Sequence, residues 1–105
     1  MVRRIEHIAI AVKDVETSAR LFETLLGKGC GYIETLPDER VKVAFFELGG
    51  SRIELVEGIG SENPMIKFIE KRGEGLHHIC LEVEELPATL RLLHAAGLPL
   101  IDRVP

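Results

Sequence analysis

The chain contains the same short pattern twice, and this repeat limits the possible fold more than any other feature. One copy begins at His7 and reads His-Ile-Ala-Ile-Ala-Val, and the other begins at His78 and reads His-Ile-Cys-Leu-Glu-Val. At the same offset of 71 residues, Val15 corresponds to Leu86 and Leu21 to Leu92. The sequence therefore predicts two related units, each with a strand that begins with histidine and leads into a helix.

Length and composition are those of one globular domain. The chain has 105 residues, 46% of them hydrophobic and 29% charged, which suits a single domain of ordinary size. A net charge of −4 argues against a general nucleic-acid binder, because such proteins neutralise phosphates. The N-terminus shows no apolar signal region, so a cytoplasmic location is expected. Cys30 and Cys80 are predicted to be reduced thiols.

The first unit, residues 1–57, is predicted to be a βαβββ module. Alternation predicts a strand over 4–12, and helical spacing predicts a helix over 15–26 between an Asp14 N-cap and Gly27. A short strand is predicted at 32–34. Strands 41–48 and 52–57 are predicted to form a hairpin through Gly49-Gly50.

The second unit is predicted to repeat this order only in part. Residues 58–76 are interpreted as a linker with a helix that begins at Pro64 and ends near Arg72. Residues 77–105 are interpreted as the start of the second module, with a strand over 77–83, a helix over 87–96 and a strand at 100–102. A counterpart of the hairpin is missing, either because the chain is truncated, which is the favoured explanation, or because another chain supplies it. Exposed apolar edges favour association, so a homodimer is expected.

His7 and His78 are the first candidates for chemistry. A single strand histidine is usually structural, but duplication brings equivalent positions together across a pseudo-two-fold axis. Imidazole binds several divalent metals, so the pair does not identify the ion. His77 is expected to lie on the opposite sheet face from His78, because strand side chains alternate, and is interpreted as structural. His94 is assigned to an exposed helix face.

Glu54 is the third candidate. It alternates with Ile53 and Leu55 within a strand, so it either faces solvent or pairs with a cation. Its repeat equivalent would fall at about position 125, beyond Pro105, and the repeat would place a fourth ligand there. Motifs of nucleophile-elbow hydrolases, zinc ribbons, zincins and dinucleotide-binding loops are absent from the sequence.

The chain resembles the vicinal oxygen chelate superfamily and, within it, the methylmalonyl-CoA epimerase family. The resemblance rests on four stretches that together span the chain: His7 to Asp14, Val41 to Gly49, Ile53 to Glu57, and Lys71 to Ile79. The last, Lys-Arg-Gly-Glu-Gly-Leu-His-His-Ile, is the most specific. The implied fold is α+β, with paired βαβββ modules of the glyoxalase type around a cupped metal site and the second module incomplete in this chain.

The resemblance also implies a site and a reaction. It places His7, Glu54 and His78 on three metal-ligand positions, with a divalent ion that is expected to be cobalt, or else manganese or zinc. The fourth family ligand and a catalytic carboxylate are expected beyond Pro105, and no base is carried onto Val43. The implied substrate is methylmalonyl-CoA, epimerised by removal and return of its α-proton, and the 105-residue chain is expected to be poorly active.

Three alternatives remain open at this point. Two are enzymes of the same superfamily, a glyoxalase-like lyase and a ring-cleaving dioxygenase. The third is a non-catalytic, drug-sequestering protein with the same fold. The helix ending Leu21-Phe-Glu-Thr-Leu-Leu-Gly27 favours the epimerase over the lyase, since many glyoxalase-like members carry Phe-Tyr there.

Overall fold

The computed structural model describes residues 2–84, which form five strands and two helices in an α+β arrangement. In chain order these are β1 (Val2–Ala11), α1 (Val15–Leu26), β2 (Tyr32–Leu36), β3 (Val41–Leu48), β4 (Ser51–Gly58), α2 (Pro64–Arg72) and β5 (Gly75–Val83). The first five elements are the predicted βαβββ order. The predicted helix 87–96 and strand 100–102 lie outside the described residues.

Helix α1 begins and ends where the sequence predicts. Asp14 is the N-cap, and its side chain accepts hydrogen bonds from the Glu16 amide at 3.2 Å and the Thr17 hydroxyl at 2.7 Å. Gly27 ends the helix in the left-handed conformation at φ 68°, which glycine adopts without a steric penalty. Both ends of the helix are therefore determined by local sequence.

The five strands form one sheet in the order β2-β3-β4-β1-β5. Strand β1 runs parallel to β4 and antiparallel to β5. The hairpin between β3 and β4 turns through Gly49 at φ 57° and Gly50 at φ 87°, as two-residue hairpin turns require. This topology places β1 in the interior of the sheet, directly beside the repeat strand β5.

The pairing of β1 with β5 carries the symmetry of the sequence repeat. Ile8 pairs with Ile79, which is its own counterpart at the offset of 71 residues. On either side, His7 pairs with Cys80 and Ala9 pairs with His78, so the two pairs are also equivalent. A local pseudo-two-fold axis therefore passes through the Ile8–Ile79 pair, which confirms the predicted juxtaposition of the repeats.

The two faces of the sheet carry different apolar clusters. On one face α1 packs through Val15 and Ala19 against Phe46 and Leu55, all of them at most 4% exposed. On the other face Ala9, Val43 and Val56 form a smaller buried cluster, to which Met65 of α2 contributes. Burial of apolar surface on both faces fixes which side chains of β1 and β4 remain near the surface.

The segment 58–76 contains the predicted second helix. Asn63, which is 2% exposed, caps α2 by accepting from the Met65 amide at 2.8 Å and donating to the Arg40 and Ile59 carbonyls. Strand β5 begins at Gly75, two residues earlier than the sequence predicted. Within residues 2–84, neither helix has the length and apolar character needed to span a membrane.

Candidate metal centre

His7 and His78 lie on neighbouring strands with their rings facing each other. The two Nε2 atoms are 3.3 Å apart, and the ring centroids are 5.4 Å apart. Both residues lie on one face of the sheet because His7 and His78 occupy diagonal positions across the Ile8–Ile79 pair. The predicted meeting of the two histidines is confirmed.

The spacing of these nitrogens suits a shared divalent ion. Two nitrogens that are each about 2.0–2.1 Å from a tetrahedral ion are roughly 3.3–3.4 Å apart. The observed 3.3 Å matches this value. The histidine pair therefore fits the ion that the fold family implies, although whether it binds one stays a prediction.

Glu54 lies on the same face but beside the other nitrogen of His7. Its register partners are Ala9 on β1 and Phe45 on β3. A carboxylate oxygen is 3.6 Å from His7 Nδ1 and 3.1 Å from Arg52 Nη2, and its side chain is only 13% exposed. Of the two readings of Glu54, pairing with a cation is therefore the correct one.

Three potential metal ligands lie closer together than the predicted set of His7, Glu54 and His78 does. Within residues 2–84, the group whose ligand atoms all lie within 4.8 Å of one another consists of Glu6, His7 and Cys80. Cys80 is there because it pairs with His7 across the β1–β5 ladder. Glu54 is directed towards Arg52 and His7 Nδ1 and does not form a compact set with both histidines.

Two acidic groups of the site have pKa values shifted in opposite directions. Burial raises the pKa of Glu54 above its usual 4.5, although the nearby His7 and Arg52 partly oppose this effect. A hydrogen bond from His7 lowers the pKa of Glu6, with Arg52 acting in the same direction. Glu6 therefore loses its proton at a lower pH than Glu54 does.

Sequence reasoning missed the contribution of Arg52. Its Nη2 lies 3.2 Å from Glu6 and 3.1 Å from Glu54, so one guanidinium joins two carboxylates. The guanidinium also lies over the Phe45 ring at 5.4 Å, in cation–π geometry. Arg52 and Glu54 are two residues apart on β4 and therefore lie on the same face of the sheet. This spacing was the sequence signal that could have identified Arg52.

The prediction that His77 and His78 point to opposite faces of the sheet is wrong, because their rings are in contact. The two Nδ1 atoms are 2.8 Å apart and the ring centroids 5.1 Å apart. Strict alternation fails because the β1–β5 register shifts between Ala9 and Ile10, next to this point. Phe68 of α2 contacts the His77 ring from the other side, at 4.8 Å.

The raised pKa of Glu54 predicts a pH effect on stability in metal-free protein. Between pH 4.5, the ordinary value, and the higher folded value, the folded protein retains a proton that the unfolded chain has lost. Stability must therefore fall as pH rises through this interval. Glu54→Gln has no such titration. The free energy of unfolding of this variant, relative to that of wild type, should therefore increase as pH rises through the interval and then become constant.

Urea unfolding of wild type and Glu54→Gln, in the presence of a chelator and across this pH range, measures the difference. A difference that is constant, or that moves in favour of wild type as pH rises, would contradict the assignment.

The fold and the histidine pair together define a glyoxalase-type protein. The family model described as the glyoxalase/bleomycin resistance protein/dioxygenase superfamily matches residues 6–105. Because this match covers nearly the whole chain, the chain belongs to that superfamily.

Two relatives of this chain are methylmalonyl-CoA epimerases, which is a more specific similarity than the superfamily alone. An ethylmalonyl-CoA/methylmalonyl-CoA epimerase of Cereibacter sphaeroides is 40% identical over 98 residues, which cover 92% of this chain and 73% of the relative. The human mitochondrial methylmalonyl-CoA epimerase is 36% identical over 88 residues, covering 83% of this chain but only 50% of the human protein. A solved structure of a hypothetical protein from Bacillus halodurans is 36% identical with a TM-score of 0.84, over 97% of this chain and 74% of that one.

Proposed function

We propose that this protein is a metal-dependent epimerase that interconverts the (R) and (S) forms of methylmalonyl-CoA. The observation that carries the proposal is the pair of Nε2 atoms 3.3 Å apart, at symmetry-equivalent positions of the repeat. The relatives at 36% and 40% identity are methylmalonyl-CoA epimerases, which supports an epimerase and this substrate class.

In the proposed site, His7 and His78 would hold a divalent ion through Nε2. Glu54 would be the third ligand after its carboxylate turns from Arg52 and His7 Nδ1 towards the two Nε2 atoms. A bound divalent ion would act as a Lewis acid towards the thioester and carboxylate oxygens of the substrate. Cobalt is the expected ion, with manganese or zinc as the other candidates.

The rest of the site serves to orient these groups. Arg52 pairs with the Glu54 carboxylate at 3.1 Å, and the buried cluster of Ala9, Val43 and Val56 lies on the same face of the sheet. The low exposure of the His7 and Glu54 side chains, 16% and 13%, would strengthen the electrostatic interactions that stabilise developing negative charge on an enolate. The proton-transferring carboxylates are not assigned to the described residues.

The proposal is tested by exchange of the substrate α-proton with solvent. The protein is loaded with cobalt and incubated with methylmalonyl-CoA in deuterated water, and loss of the α-proton signal is followed by NMR. We expect exchange that depends on the added ion and on the two histidines.

The control is the variant with His7→Ala and His78→Ala. Exchange that is equal in wild type and this variant would contradict the proposal. Turnover of a glutathione hemithioacetal or, with iron, of a catechol would instead identify the lyase or the dioxygenase.

A further inference from the structure

The residues immediately before the two site histidines are also equivalent in the repeat. Glu6 precedes His7, and His77 precedes His78 at the same offset of 71 residues. In each unit the preceding side chain contacts the Nδ1 atom of the histidine that follows it. Glu6 Oε1 makes a close hydrogen bond with His7 Nδ1, and His77 Nδ1 lies 2.8 Å from His78 Nδ1.

These contacts determine which ring nitrogen is left to bind a ligand. In a neutral imidazole one nitrogen donates a hydrogen bond and the other accepts. Because the carboxylate of Glu6 can only accept, His7 must carry its proton on Nδ1, and the lone pair is left on Nε2. Because the two Nε2 atoms are 3.3 Å apart, His78 Nε2 is then the donor to His7 Nε2, and His78 Nδ1 accepts from His77 Nδ1. A bound ion would take the place of the proton on His78 Nε2, and His78 Nδ1 would then donate to His77.

Both preceding residues are themselves held in place. Arg52 Nη2 lies 3.2 Å from the second oxygen of Glu6, which orients its carboxylate towards His7. The Phe68 ring packs edge-on against His77 with centroids 4.8 Å apart. Glu6 is hydrogen-bonded to His7 Nδ1, the ring nitrogen that does not face His78, so we assign it a supporting role even though it belongs to the compact group with Cys80.

We infer that Glu6 and His77 are paired positioning residues, each of which orients the metal-binding histidine that follows it through a contact with its Nδ1 atom. This inference rests on the proposed function only in its metal-binding part. Metal-bound histidines commonly donate their second N–H to such a partner, and loss of the partner typically lowers metal affinity by about 10–100-fold.

The first experiment needs no metal. Long-range nitrogen–proton NMR of protein labelled at histidine distinguishes the two tautomers of each ring. In wild type we expect His7 to be protonated on Nδ1 and His78 on Nε2, as the hydrogen bonds of the two rings require. Glu6→Ala should produce a mixture of tautomers at His7, and Glu6→Gln should restore the wild-type pattern because the amide oxygen still accepts.

The second experiment measures cobalt affinity by competition with a chromophoric chelator. Glu6→Ala and His77→Ala should each weaken binding by about 10–100-fold. Glu6→Gln and His77→Asn should recover most of the loss, since both retain an acceptor. Glu34→Ala, an exposed glutamate on β2, is the matched control and should bind as wild type does.

The outcomes separate this inference from the proposed function. If both alanine variants bind cobalt as wild type does, while His7→Ala with His78→Ala does not bind, the inference is wrong and the metal site stands. If wild type binds no cobalt, the metal site is wrong and the tautomer spectra alone decide the inference. Nε2 protonation of His7 in wild type would overturn it in either case.

Discussion

Replacing His7 and His78 together with alanine is expected to abolish stoichiometric binding of a divalent ion. The two residues supply the facing nitrogens 3.3 Å apart, and the remaining Glu54 is already paired with Arg52. The loss of affinity should exceed the roughly 10–100-fold that loss of a supporting residue costs, because two direct ligands are removed. Metal content after dialysis against cobalt, measured by elemental analysis, gives the result.

The matched control is Glu34→Ala, since Glu34 is exposed on β2, which β3 and β4 separate from β1. This variant should retain as much cobalt as wild type. Full metal content in the double alanine variant would refute the site altogether. It would also remove the main support for an epimerase, because the proposed reaction depends on an ion at this position.

The second large effect is expected on stability. Leu55 is fully buried on β4 and belongs to the cluster that joins α1 to the sheet. Leu55→Ala should lower the free energy of unfolding by about 2–5 kcal/mol, from lost burial and the cavity that remains. This is a large part of the about 5–15 kcal/mol that stabilises an ordinary domain. Urea denaturation at neutral pH measures the change.

Leu25→Ala supplies the matched control, because Leu25 lies on α1 with 67% of its surface exposed. Its effect should stay within about 0.5 kcal/mol. Equal losses from the two substitutions would mean that the apolar cluster between α1 and the sheet does not stabilise the fold as described.

Local sequence signals predicted the secondary structure of residues 2–84 well. Asp14 and Gly27 determine both ends of α1 through hydrogen bonding and a positive φ, which depend on neighbouring residues only. Gly49-Gly50 likewise fixes the hairpin, and with it the register of β3 and β4. Strand ends were less accurate: β1 and β5 both begin two residues before the predicted start, because pairing between these two strands extends them.

The composition of the site was only partly predictable. The repeat identified His7 and His78, and the alternation along β4 identified Glu54. Neither signal could identify Cys80 as a neighbour of His7, since this contact depends on the register between β1 and β5. The error about His77 has the same origin, because a shift in that register brings its ring to His78.

The sequence by itself determined the duplicated unit, its elements and the histidine that begins each copy, because these follow from local periodicity and an internal offset. Only the tertiary structure decided how the two copies meet. The Ile8–Ile79 pair places the axis of the repeat between β1 and β5, so the two imidazoles face each other across it. The pairing of Glu54 with Arg52 was decided in the same way, since burial makes an unpaired charge costly and only folding determines which cation lies within reach.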